Sequence, residues 1–278
     1  MKRVPGVTAI LVAAGAGRRL GGRGEKALRT LGGRPLVYHS LRTLERSPSV
    51  ESVVLVVRRN VIRKCESFVR RCGLRKVRKV LAGGRRRQDS VARGLDFARA
   101  SVPSELVLIH DAARPFLSER LIGRTISAAK RKGAAIAALP VSDTVKKVKG
   151  TAIAGTVPRE GLWLAQTPQV FRRDLLERAF NRWHSGRAAT DDASIVSGLG
   201  ESVIVVEGES SNIKITYPED MILAEAMLRL RRRELSGRVR APRAGRGPTG
   251  RSARRKGRKG QKRAVRPPQE RGSAARRK

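Results

Sequence analysis

Aromatic residues are scarce: two Trp, two Tyr and five Phe in 278 residues. A core must therefore be built from Val, Leu, Ile and Ala. Cysteine is scarcer still. Cys65 and Cys72 lie seven apart on a predicted helix, which cannot bring them within disulfide reach. They read as reduced thiols of a cytoplasmic protein. The three histidines, His39, His110 and His184, are scattered, and no Cys/His spacing suits a structural metal. No run approaches the roughly 18 apolar residues of a membrane span, so no membrane partner is expected. Acids are few, 23 Asp and Glu against 62 Lys and Arg, giving a formal net charge of +39.

That charge is partly local. Residues 236–278 hold seventeen Lys and Arg against Glu270 alone, in a background of Gly, Pro, Ser and Ala. Almost nothing there can join a core, and the segment reads as a disordered basic tail. Non-specific contact with nucleic acid is one reading of it, a solubilising extension the other. It has no aromatics on which bases could stack, so sequence-specific recognition is not expected. A net charge of +23 stays on the body, whose expected company is polyanions.

The body, residues 1–235, alternates short apolar runs with helical patterns. Strands are predicted over 7–13, 53–57, 77–81, 106–110 and 134–139. Helices are predicted over 35–45, 61–72, 88–100 and 119–130. The strands are unbroken apolar runs, as expected when both faces are buried, so the fold is α/β, a mostly parallel Rossmann-like sheet flanked by helices. Met1-Lys-Arg before the first run imitates a secretory leader, but cleavage near Ala14 would delete the first strand and split the loop after it. After Pro140 the rhythm changes. Residues 141–166 alternate polar and apolar around a Lys-Gly turn and read as an extended β-arm. Helices return over 172–183 and 191–199, a strand over 203–206, and a last helix opens at Pro218-Glu-Asp.

Ligands of parallel sheets bind at the carboxyl ends of strands. The first strand runs into "AGAGRRL", where Gly15 and Gly17 let the backbone approach an anion while Arg18, Arg19 and Lys26 add charge. A tight turn on a basic protein would look similar. Leu20 breaks the dinucleotide fingerprint, and no Gly-Lys-Ser/Thr phosphate loop is present. Other strand ends add to the pattern: "GGRRRQDS" at 83–90, and "HDAARP" at 110–115 with an acid at the strand tip. Asp111 there suits a helix cap or a metal. In "NIKIT", Lys214 sits between Ile213 and Ile215, either on the solvent face of a strand or facing a cleft.

Taken in order, "LVAAGAGRRL", "GGRRRQDSV", "HDAARPF", "PVSDTVK", "TVPREGLWLAQTPQVF", "TDDAS" and "NIKITYPED" resemble the 2-C-methyl-D-erythritol 4-phosphate cytidylyltransferases of the non-mevalonate isoprenoid pathway. The resemblance spans about residues 6–230. It implies attack of the acceptor's phosphate oxygen on the α-phosphorus of CTP, with Mg2+ required and pyrophosphate leaving. A phosphate monoester is already ionised near neutral pH, which agrees with the lack of a catalytic histidine or cysteine. By resemblance, Arg19, Lys26 and Lys214 are catalytic. Ala13, Ala14, Gly15, Gly17, Gly84, Ser90, Asp111 and Ala112 hold CTP, with Asp111 also near the metal. Arg114, Thr144, Arg159, Thr167 and Thr190 form the acceptor pocket. Thr144 and Arg159 would come from a partner's arm, which implies a homodimer.

Some residues depart from that pattern. The family usually has Pro before the loop lysine; Glu25 stands here and could pair with an arginine and loosen the loop. Arg85 occupies a position where an acid is common, and the basic tail is no family feature. Two other readings stand beside the first: a cytidylyltransferase for ribitol 5-phosphate or another polyol phosphate, and a basic protein that binds nucleic acid through its tail.

Overall fold

The computed structural model describes residues 6–21, 25–183 and 189–235. Its strands and helices follow in the order β1 (Val7–Ala13), β2 (Thr30–Leu31), β3 (Arg34–Pro35), α1 (Leu36–Arg46), β4 (Val50–Val57), α2 (Ile62–Arg71) and β5 (Val77–Ala82). Next come α3 (Arg87–Ser101), β6 (Leu106–Asp111), α4 (Glu119–Lys132), β7 (Ala134–Pro140), β8 (Val145–Lys149) and β9 (Ala152–Val157). The chain continues through β10 (Trp163–Arg172), α5 (Arg173–Arg182), α6 (Asp192–Ser197), β11 (Ile204–Glu207) and α7 (Pro218–Leu235). The predicted tail, residues 236–278, and His184 lie outside the described residues.

Seven strands form the central sheet in the order β11-β7-β10-β6-β1-β4-β5. All neighbours are parallel except β10, which runs antiparallel between β6 and β7. The predicted mostly parallel sheet is therefore observed. Along β1, Val7, Ala9 and Leu11 pack on one side with residues of α1, α2 and α4. Ile10 and Val12 pack on the other with α3, α5 and α6. Burial on both faces is why the strand reads as an unbroken apolar run.

Helix boundaries follow local chemistry. Ser118 Oγ accepts the Leu121 amide at 2.9 Å to open α4, and Glu119 sits in the first turn. Leu121, Ile122, Thr125, Ile126 and Ala129 make the buried stripe. Lys130–Lys132 complement the carboxyl end, and Gly133, at φ 87°, ends the helix.

"NIKIT", left open above between a strand face and a cleft, is irregular. The arm is shorter at its far end than expected: β8 and β9 form a separate two-stranded antiparallel sheet, whereas β10 already pairs with β7 from Trp163↔Pro140 onward. Polar Gln166, Thr167 and Gln169, all buried, interrupt the apolar pattern of β10.

Candidate active site

Where β1 and β6 lie side by side, the chain order of the sheet reverses: β4 and β5 extend to one side, β10 and β7 to the other. That switch point opens a crevice beyond the strand ends. A cavity of about 590 Å³ occupies it, a size suited to a nucleotide. Its lining brings together Ala13, Ala14, Gly15, Gly17, Arg19, Lys26, Gly84, Ser90, Asp111, Ala112 and Lys214. Every residue assigned above to catalysis or to CTP is among them.

The loop after β1 is shaped by Gly17, which adopts φ 63° before a short 3-10 turn, Arg18–Leu20. A Cβ on Gly17 would lie 2.8 Å from Lys26 Cβ, so glycine lets the two limbs of the loop touch. On the other side, a Cβ on Gly83 would lie 2.3 Å from Ala14 Cβ. Ser90 Oγ accepts the Gly84 amide at 3.1 Å. These contacts make a narrow backbone-lined slot between the ends of β1 and β5. Asp89 caps α3, its carboxylate accepting the Arg86 amide at 3.0 Å.

Lys214 reaches the cavity because its neighbours are anchored. Ile215 is fully buried with Leu20, Leu31, Leu36, Phe116 and Ala224. Burying one such side chain contributes about 2 kcal/mol. Leu20 belongs to the same cluster, so one apolar knot fixes both the turn after β1 and the Lys214 segment. The Ile215 amide donates to Ala113 O at 2.8 Å, and Arg114 Nη1 donates to Asn212 O at 2.7 Å. Lys214 is thereby turned toward the cleft, which decides between the two readings of "NIKIT".

Charge converges here. Lys214 Nζ donates to Asp111 Oδ2 at 2.8 Å, and Arg87 Nε donates to Asp111 Oδ1 at 2.8 Å. Burial alone would raise the Asp111 pKa; the two cations more than offset it and hold the carboxyl well below the usual carboxylate range. Arg87 also pairs at 2.8 Å with the buried Asp192, linking the β6 tip to α6. Lys26 Nζ donates to the Ile215 carbonyl. Its pKa is pushed down by burial first and then by the charge of Lys214, with Arg19 adding to the effect. Arg19 stands over the Tyr217 ring, 5.5 Å from its centroid. Three cations, Arg19, Lys26 and Lys214, therefore crowd one side of the cavity.

The five acceptor-pocket residues do not line this cavity within one chain. Arg114 is half-buried and braces the Lys214 segment from below. Thr167 is buried, its Oγ1 accepting the Asp111 amide at 3.1 Å and lying 2.9 Å from His110 Nδ1. His110 Nε2 lies 3.1 Å from Arg114 O, and burial pushes the ring pKa down to about 4. A neutral ring that donates from Nε2 and accepts the Thr167 hydroxyl satisfies all three contacts. Thr190 is exposed just ahead of Asp191, whose side chain caps α6. Thr144 and Arg159 sit on the exposed arm, where Arg159 Nη1 donates to Ser142 O.

Sequence reasoning passes over Arg87, Arg58 and Asp192. Arg87 is one of three consecutive arginines. The signal is helical register: Arg87 stands one turn before Val91 on the stripe continued by Leu95 and Ala98, all buried. Asp192 has no such signal.

Comparison with known proteins agrees with this geometry. Residues 7–230 match the family model described as 2-C-methyl-D-erythritol 4-phosphate cytidylyltransferase (IspD). The protein of that name from Geotalea uraniireducens is 43% identical over 225 residues, covering 80% of this chain and 97% of that protein. The one from Syntrophus aciditrophicus is 42% identical over 228 residues, covering 81% and 97%. Among solved structures, 2-C-methyl-D-erythritol 4-phosphate cytidylyltransferase from Thermus thermophilus matches with TM-score 0.65 and 39% identity, covering 79% of this chain and 98% of that one. The 4-diphosphocytidyl-2C-methyl-D-erythritol synthase from Anaerococcus prevotii gives TM-score 0.70 and 33% identity, covering 81% and 96%.

Proposed function

This chain belongs to the 2-C-methyl-D-erythritol 4-phosphate cytidylyltransferase family and is a nucleotidyltransferase acting on CTP and 2-C-methyl-D-erythritol 4-phosphate; we propose that the residues gathered at its β1/β6 crevice carry the transfer as follows. A phosphate oxygen of the acceptor attacks the α-phosphorus of CTP. The bond from that phosphorus to the α–β bridging oxygen breaks, and pyrophosphate leaves with its electron pair. The product is 4-diphosphocytidyl-2-C-methyl-D-erythritol.

Two polyanions must meet, so the protein's work is positioning and charge cancellation. Backbone amides of the Gly15–Gly17 loop and Arg19 cradle the phosphates. Lys26 and Lys214 flank the α-phosphate, where charge builds as the new bond forms. Asp111 keeps Lys214 in place beforehand; the incoming phosphate then competes for its ammonium group. Cytosine occupies the slot of Ala13, Ala14, Gly84 and Ser90, with the ribose beside Asp111 and Ala112. The observation that carries this reading is the meeting of Arg19, Lys26 and Lys214 in one cavity beside a single ionised carboxylate.

Among the described residues no three acidic, His or Cys side chains cluster as a closed metal site. One anionic oxygen donor facing a phosphate site instead fits Mg2+, which is held through one or two carboxylates together with substrate phosphates. Asp111 is the residue that would hold it, and the ion would neutralise phosphoryl charge.

The arm supports a homodimer with shared sites. Ile153 is 67% exposed and Leu164 59% exposed, alongside Val148 and Trp163. A second copy would bury this apolar surface and deliver Thr144 and Arg159 to the acceptor's phosphate. Arg114, Thr167 and Thr190 complete that pocket. The free cysteines, Cys65 and Cys72, fit a cytoplasmic enzyme. Residues 236–278 are given no part in the transfer. The test is pyrophosphate release from CTP, ATP, GTP and UTP, each offered methylerythritol phosphate and ribitol 5-phosphate with Mg2+. Release confined to CTP with methylerythritol phosphate is expected. Release with ribitol phosphate alone would overturn the acceptor assignment.

A further inference from the structure

Glu25 is the one acid among residues 1–44. It stands directly before Lys26, beside a cavity built for phosphates, where a free carboxylate would repel the ligand. The structure gives that carboxylate other work. Glu25 has extended backbone, φ −82° and ψ 128°, and precedes a short 3-10 turn, Lys26–Leu28, without capping it. Its Oε1 instead crosses to the segment after β4, accepting from Arg58 Nη1 and from Asn60 Nδ2, each at 2.9 Å. The Glu25 side chain is only 14% exposed. Arg58 follows Val57, the β4 residue paired with Ala13 at the end of β1. The carboxylate thus ties the far limb of the phosphate loop to the strand beside the one that launches it.

Two other contacts locate Lys26. Its Cβ lies against Gly17, and its ammonium group donates to Ile215 O. They hold the stem and the tip, and the tip contact would yield when the ammonium turns to a phosphate. The grip of Glu25 involves neither group and survives that exchange. Arg58 also lines the cavity, so the same contact parks a cation at its rim and cancels the acid's charge.

We propose that Glu25, gripping Arg58 and Asn60, is the positioning residue that anchors the far limb of the phosphate loop and keeps Lys26 opposite Lys214. The pairing foreseen from the sequence is present, and the geometry gives it the opposite effect: it fastens the loop. This rests on Lys26 acting at the α-phosphate.

The test is steady-state kinetics of the full chain with CTP varied, on wild type, Glu25→Ala, Glu25→Gln, Arg58→Met and the Glu25→Ala/Arg58→Met double variant, with melting temperatures alongside. A misplaced reacting group of this kind costs roughly ten- to a hundredfold. Glu25→Ala is expected to lose that much, mainly in kcat, at an unchanged melting temperature. Glu25→Gln, which keeps an acceptor oxygen, should recover part of the loss. In the Arg58→Met background, where Asn60 alone still holds the carboxylate, the alanine change should cost clearly less than it does in wild type. Wild-type kcat in Glu25→Ala, or losses that simply multiply in the double variant, would overturn the proposal. Wild-type release of pyrophosphate reports separately on the reading of the site.

Discussion

Arg87 is the residue on which two buried acids depend. It reaches Asp111 at 2.8 Å and Asp192 at 2.8 Å, and those acids hold its pKa above the ordinary arginine value against the opposing effect of burial. Removing one partner of a buried ion pair costs about 3 kcal/mol or more, because the remaining charge is left unpaired. Arg87→Met is therefore expected to lower the unfolding free energy read from urea melts by an amount of that order, and with it the midpoint; Arg87→Lys, which lacks the planar fork, should restore only part of the loss. An unchanged midpoint in Arg87→Met would contradict the bridging role. Cys65 gives a second prediction. Burial, reinforced by Glu66, pushes its thiol up to about 11 from 9.0. The folded chain then keeps a proton that the unfolded chain loses near pH 9, so this residue's contribution to stability falls as pH rises from about 9 to 11. Iodoacetamide at about pH 8.5, near the ordinary thiol pKa, should alkylate half-buried Cys72 and spare Cys65 until urea is added. Labelling of both in the native protein would contradict that burial.

At the scale of elements, legibility tracks burial. Strand β1 reads with its observed bounds because both its faces are apolar, and α3, lying over the same sheet, is bounded within a residue. Strand β10 does not read as one element. Its inner half places Gln166, Thr167 and Gln169 in the sheet, where hydrogen bonds to Glu209, His110 and Asp191 satisfy them. Polar residues satisfied by distant partners leave no periodic signal. The Lys214 segment stays open in the sequence because Ile213 and Ile215 alternate as on a strand face; Ile215 is an anchor in an apolar cluster. The site's glycines and lysines can be named from the sequence, whereas the grip of Glu25 on Arg58, 33 residues away, cannot be placed. The arm carries its own prediction. Ile153→Lys with Leu164→Lys should give a monomer by sedimentation that folds normally and loses transfer, since Thr144 and Arg159 would no longer reach a neighbour's site. A fully active monomer would remove the arm from the mechanism.

For the molecule as a whole, charge and topology agree. A body rich in Lys and Arg can seat a triphosphate and a sugar phosphate together, provided a few cations converge at the right edge of the sheet. The switch point between β1 and β6 supplies that edge. The apolar knot of Leu20 and Ile215 brings segments far apart in the chain to the same cavity. The most direct test is single-turnover pyrophosphate release from CTP and methylerythritol phosphate by Lys26→Ala and Lys214→Ala, compared with wild type. Each variant should keep its fold and lose roughly a hundred- to a thousandfold in rate. Near-wild-type release by either one would contradict the claim that these two lysines flank the reacting phosphorus.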